Sequence, residues 1–210
     1  MRFTASEIEA ALATGHELRG IEVKSSGPST SKQLFAKVTR AAISMGNIRD
    51  GGVVIVGLDD NDLAAMLPGL NENDLATWMA FDDISQRMAE YADPPLKLHV
   101  EKLELSSGAV VAVIEVAEFA DLPHVCAREY ADILRRGALY VRTRRMPQTA
   151  EIGSAAEMRE LLDLATQKAL RAYVETAQRA GVHLGTQAQR ESEPSDDERF
   201  EEERRRGWDE

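Results

Sequence analysis

The sequence predicts an α+β domain: a mixed β-sheet flanked by helices, followed by a long C-terminal helix and a disordered acidic tail. Three observations carry this. Helical and strand periodicities run along the chain in the order α-β-α-β-α-β-β-β-α. The short apolar run "GGVVIVGLDD" (51–60), opened by two glycines and closed by acids, reads as a strand buried on both faces. Two alternating runs, "LKLHVEKLEL" and "AVVAVIEVAE", meet around "SSG" as an antiparallel hairpin.

The elements follow in order. "SEIEAALATG" is a short helix, with Ser6 as N-cap, Glu9 three residues on, and Gly15 as its stop. "RGIEVKS" alternates and reads as a strand. "SKQLFAKVTRAAISMG" places Leu34, Phe35, Val38, Ala42 and Met45 on one helical face. "NENDLATWMAFDDISQRMAEYA" reads as one helix with Leu75, Met79, Ile84 and Met88 in the core, stopped by Pro94 and Pro95. Trp78 and Phe81 read as core or as an oligomer contact. After the hairpin comes an irregular stretch around Pro123, then a strand at "ALYVRTR". The long helix "SAAEMRELLDLATQKALRAYVETAQRA" carries an apolar stripe that includes Met158, Leu161, Leu162, Ala165 and Leu170. The expected organisation is one domain over residues 1–183 and a disordered tail over 184–210.

Composition narrows the function classes. The chain has 210 residues and is 43% hydrophobic, enough for a core. No apolar run approaches the roughly 18 residues of a membrane span, and "MRFTASEIEA" lacks the apolar stretch of a secretory signal. The single cysteine, Cys126, excludes an internal disulfide and a cysteine-based zinc cluster. The expectation is a cytoplasmic protein with no membrane partner. His16, His99, His124 and His183 show no ligand spacing, and Cys126 reads as a buried strand residue rather than a nucleophile. The net charge is −11, but residues 191–210 alone hold ten acids and four arginines. That leaves −5 for the rest. A mildly acidic body can still carry a basic groove, although the total disfavours tight duplex-DNA binding.

Three segments bear chemistry. "GHELRGIEVKSS" sets Glu17 and Glu22 five residues apart, with Lys24 two further on. Strand side chains repeat every two residues, so Glu22 and Lys24 share a face. Acid–lysine alternation is equally an ordinary solvated strand face. "GGVVIVGLDD" ends in Asp59 and Asp60; its glycines suit a tight turn, it precedes a strand rather than a helix, and it is not a P-loop. Asn47 is expected to cap or close that turn. "ILRRGALYVRTRR" puts Tyr140, Arg142 and Arg144 on one strand face, with Arg135, Arg136 and Arg145 nearby. The arginines suit phosphates and the ring suits a base, or the cluster is simply a solvated face.

In this order and spacing the segments resemble the AlbA-type domain of Schlafen and Schlafen-like proteins. Glu17, Glu22, Val23 and Lys24 match its first signature. Asn47, Gly51, Gly52, Gly57 and Asp59 match its second, with the Asn47–Gly51 spacing about one residue longer than usual. Pro123 and "LYVRTR" match its third, and the likeness runs from about residue 5 to 165. The resemblance implies nucleic-acid binding and, for some members, metal-dependent endoribonuclease activity through three carboxylates. Carried over, these are Glu17, Glu22 and Asp59, with Asp60 as the alternative third acid. They would hold Mg²⁺ or Mn²⁺, hard cations suited to oxygen ligands, with Lys24 assisting. Tyr140, Arg142, Arg144, Arg145 and Arg136 would hold the nucleic acid, RNA in preference to DNA. A homodimer would supply a second lobe. Two rival expectations stand beside this one: a non-catalytic nucleic-acid-binding or regulatory module, and a protein-interaction subunit of a larger complex. A role in antiphage defence is conceivable for a small nuclease, but no residue pattern carries it.

Overall fold

The computed structural model describes residues 3–15, 17–143 and 147–182. Four strands form the main sheet: β1 (Ile21–Lys24), β2 (Gly52–Val56), and later β4 (Leu98–Glu104) and β5 (Val110–Val116), in the order β1-β2-β5-β4. β1 and β2 are parallel; β2–β5 and β5–β4 are antiparallel. This is the mixed sheet that the sequence predicts. The run "GVVIV" is central and buried throughout.

The sheet separates two apolar layers, as the two-residue repeat of strand side chains dictates. Val54, Val56, Ile114 and Val116 lie in the layer built by helix α2 (Lys32–Gly46) together with α3 (Glu72–Met79) and α4 (Phe81–Ala89), which also reach the sheet. Val53, Ile55, Val111 and Val113 face helix α1 (Ala5–Ala13) and a 3₁₀ turn at Leu63–Ala65. In the register of β1 with β2, Glu22 lies beside Val54 and Lys24 beside Val56, so both acid and ammonium point to the α2 layer.

Two local expectations are corrected. The cap of α1 is Thr4 rather than Ser6. Glu7 N–H donates to Thr4 Oγ1 (3.2 Å) and Thr4 N–H to Glu7 Oε2 (2.7 Å), a capping box two residues early. Glu9 instead accepts from Ser106 N–H at 2.7 Å. The helix expected over 71–92 is broken at Ala80, whose ψ of 71° ends α3 before α4 begins. Trp78 is fully buried, stacks on Phe35 (centroids 6.2 Å) and donates its indole N–H to Gly27 O; Phe81, past the break, is exposed.

Three short strands escape sequence periodicity: β3 (Ala92–Asp93) and β6 (Val125–Cys126), which pair with each other, and β8 (Thr149–Glu151), which pairs with the expected β7 (Tyr140–Arg142). Gly51 (φ +70°) admits no Cβ, because one would overlap Val116 O, so the turn into β2 requires glycine. Asn47, expected to cap or close that turn, is the C-cap residue of α2, but its side chain bonds other segments. It accepts from His124 N–H (2.7 Å) and donates to His124 O (2.8 Å) and Tyr140 O (3.0 Å).

The chain forms two compact units, Met1–Lys168 and Ala169–Glu210. Helix α5 is assigned over Ala155–Arg179. In the first unit Leu161 and Leu164 pack on Phe119, whereas Leu162 of the expected stripe is exposed. In the second unit Leu170 and Tyr173 are exposed, and the helix closes at Gly181 (φ +73°, in the left-handed region), with Val182 N–H donating to Ala177 O at 2.9 Å. The expected acidic tail lies outside the described residues. No helix among the described residues is long and apolar enough to cross a membrane.

Candidate functional site

The expected site residues of β1 and β7 do meet, but in roles other than those expected. Arg142 on β7 is buried, its side chain wholly removed from solvent. Its Nη1 donates to Glu22 Oε2 (2.9 Å) and its Nη2 to Glu17 Oε2 (3.1 Å). The remaining donors go to backbone carbonyls: Nη2 to Leu18 O (3.1 Å) and Ile21 O (2.9 Å), Nε to Arg19 O (3.3 Å). A guanidinium has five N–H groups in a fixed fork, and here the fork is spent inside the protein. The expectation that Arg142 contacts phosphate is therefore corrected. Tyr140 is corrected likewise. Its ring is buried, its hydroxyl accepts from Arg135 N–H (2.7 Å), and the Arg40 guanidinium lies over it at 5.0 Å. It offers no face to a base.

The acids are committed to the same network. Glu17 Oε1 accepts from Val23 N–H at 2.7 Å. Glu22 Oε1 accepts from Lys24 Nζ, and Glu22 Oε2 accepts from Thr149 Oγ1 on β8 as well as from Arg142. Lys24 thus shares a face with Glu22 as the strand repeat requires. Thr149 Oγ1 also bonds Ser44 Oγ of α2 at 2.8 Å. A buried carboxylate–guanidinium pair is held by such extra hydrogen bonds, because desolvation otherwise outweighs attraction.

Asp59 stands apart. It is exposed and accepts from Asn61 N–H (2.9 Å) and Asn61 Nδ2 (2.8 Å), bonds that hold its carboxyl below the usual range. Among the described residues, no group of three or more His, Cys, Asp or Glu side chains is placed to hold a metal ion. The set Glu17, Glu22 and Asp59, expected to bind Mg²⁺ or Mn²⁺, is not assembled in this structure. Glu17 and Glu22 are instead engaged by Arg142, Lys24, Thr149 and a backbone N–H, and Asp59 does not line their cleft, so the residues as placed do not present the three-carboxylate set for the cation. Asp60, the alternative third acid, does face the same cleft as Glu17 and Glu22.

That cleft, about 730 Å³, lies between β1, α2 and the β7–β8 hairpin. Among the described residues four cations line it, Lys24, Lys37, Arg40 and Arg142, against three acids, Glu17, Glu22 and Asp60. With Arg142 and Lys24 bonded to the two glutamates, Lys37 and Arg40 are the other described cations at the cleft. Lys37 is exposed. Among the described residues Arg40 gives a long bond to Thr149 O (3.4 Å) and lies over the Tyr140 ring, and its buried Nε has no hydrogen-bond partner. Arg136 is exposed on the loop before β7, and the expected contacts Arg144 and Arg145 lie outside the described residues.

Sequence reasoning missed Lys37, Arg40, Ser44 and Thr149. Positions 37, 40 and 44 follow helical spacing and form the polar stripe of an otherwise buried helix. That interruption was the available signal. Thr149 had none, because β8 is only three residues long.

Two further groups are buried. Cys126 is buried, its Sγ lies 3.2 Å from Arg128 O, and burial raises its thiol above its ordinary range. His124 Nδ1 contacts Pro94 O (2.6 Å), its Nε2 is buried with no hydrogen-bond partner, and burial lowers its pKa.

Comparison with known proteins identifies the class. The family model described as Schlafen, AlbA_2 matches residues 17–151, so the chain belongs to the Schlafen AlbA_2 family. Membership indicates a nucleic-acid-related function. No curated protein matches the chain. Among solved structures, the DIP2311 protein from Corynebacterium diphtheriae is similar at 16% identity with a TM-score of 0.44. The match covers 74% of this chain and 27% of that one.

Proposed function

We propose that the chain is a nucleic-acid-binding module that takes a phosphodiester backbone, RNA in preference to DNA, in the cleft between β1, α2 and the β7–β8 hairpin. The observation that supports this reading is the division of charge there. Arg142 and Lys24 absorb the charges of Glu22 and Glu17, leaving Lys37 and Arg40 as the further cations among the described residues that line the cleft. Backbone phosphates are met by such point charges, and binding weakens as salt rises. On this reading Glu17 and Glu22 hold the cleft wall in shape.

The metal-dependent endoribonuclease is the rival reading, favoured by Asp60 facing Glu17 and Glu22 across the cleft. It requires both glutamates to leave Arg142. One experiment separates the two: labelled single-stranded RNA and DNA are incubated with the protein, with and without Mn²⁺, and followed by both mobility shift and denaturing gel. The expected result is salt-dependent binding with intact strands, weakened by Lys37→Ala and Arg40→Ala. Mn²⁺-dependent cleavage lost in the exposed-site variant Asp60→Asn would replace this proposal with the nuclease. The third reading, a protein-interaction subunit, predicts no strand binding in either arm.

A further inference from the structure

We infer that the free edge of β4 pairs antiparallel with β4 of a second copy of this chain, about a two-fold axis at Val100. β4 is seven residues long and ends the sheet. Its inward groups are fixed by the ladder: Leu105 N–H donates to Ala109 O and Ala117 N–H to Lys97 O, so odd-numbered residues bond β5. Leu98, Val100, Lys102 and Glu104 then point their N–H and C=O groups away from the sheet. Among the described residues no hydrogen bond uses them. A run of unpaired strand groups of this length is a template for another strand.

Symmetry and charge select both occupant and register. A two-fold axis through an antiparallel pair sets residues of the same face opposite each other. Centring on Glu101 opposes two glutamates, and centring on Lys102 opposes two lysines; like charges directly opposite are unfavourable. Centring on Val100 opposes Val100 to itself and Leu98 to the stem of Lys102. It also opposes His99 to Glu101 of the second copy, twice over. Glu101 Oε1 is buried without a hydrogen-bond partner, and a ring N–H of the opposing His99 would supply one. A shallow trough of about 660 Å³, lined by Leu98, His99 and Glu115, leaves room beside the start of the strand.

The test is sedimentation equilibrium of the full chain at tens of micromolar, with engineered cysteines to read register. The wild type is expected at twice the monomer mass. Lys102→Pro is expected to return it to the monomer mass, since it removes an outward N–H that β5 does not use. Opposed residues of an antiparallel pair lie within disulfide reach, so Val100→Cys is expected to cross-link to itself on oxidation and Lys102→Cys is not. A wild-type monomer, a dimer that survives Lys102→Pro, or cross-linking at 102 rather than 100 would each overturn the assignment. If Lys102→Pro fails to fold, the cysteine pair decides alone; if Val100→Cys fails to fold, the wild-type and Lys102→Pro masses decide.

Discussion

At the β1 edge of the sheet the outward backbone groups are taken by side chains: Glu17 accepts from Val23 N–H and Arg142 donates to Ile21 O. At the β4 edge the corresponding groups of Leu98, Val100 and Lys102 meet no partner among the described residues. Both are ends of one sheet, yet one is closed by a buried ion pair and the other is open. The difference teaches what the acid pattern of the β1 segment does in this fold. Two carboxylates five residues apart are also a means of docking the β7–β8 hairpin: one caps the strand edge, the other takes the arginine, and both share its charge. Closure at β1 shapes a cleft; the absence of closure at β4 leaves a pairing surface.

The largest expected effect is at the closed edge. Arg142→Ala leaves Glu22 and Glu17 without their cation in a buried setting and is expected to cost about 3–5 kcal/mol, measured by urea unfolding. The matching change at the open edge, Lys102→Ala, should move stability least.

Next in size is a pH effect set between the edges, where His124 sits under Pro94. Burial lowers its pKa in the folded chain, so the unfolded chain binds the proton more readily. Stability from this group is therefore full above about pH 6.5 and is lost as pH falls below it. The melting temperature is expected to drop from pH 7 to pH 5, with a shallower drop in His124→Gln. Equal slopes in the two proteins would assign the drop elsewhere.

Lys37→Ala is expected to leave stability unchanged and to weaken RNA binding, lowering the salt slope by about one unit. A change in melting temperature instead would make Lys37 structural. The smallest effect is Lys102→Ala, expected within about 0.5 kcal/mol of the wild type in the same urea series as Arg142→Ala.

Much of this was legible in the sequence, and the rest for physical reasons was not. The central strand declared itself because a run apolar at every position suits burial on both faces, and the β4–β5 hairpin because alternation flanks a glycine turn. The break at Ala80 was hidden, since Leu75, Met79, Ile84 and Met88 continue an apolar pattern across it. The site was half legible. Glu17, Glu22, Lys24 and Arg142 all belong to one network, but their partners could not be read from a linear pattern: Arg142 reaches back more than a hundred residues, and its strand is three residues long. On a linear reading an arginine in "LYVRTR" looks solvated; only the docking of β7 beside β1 shows it fully enclosed. Asp59 and Asp60 are adjacent in sequence, yet Asp60 lines the cleft while Asp59 is turned to Asn61, a difference no linear pattern carries.

The central claim is that Glu22 and Arg142 form a structural pair closing the β1 edge, and a double-mutant cycle tests it most directly. Urea unfolding of wild type, Glu22→Gln, Arg142→Met and the double variant yields their coupling energy. The account expects about 1–3 kcal/mol of favourable coupling, in the range for residues in direct contact. A coupling indistinguishable from zero would contradict it, returning Glu22 to the role of a carboxylate held free for a metal.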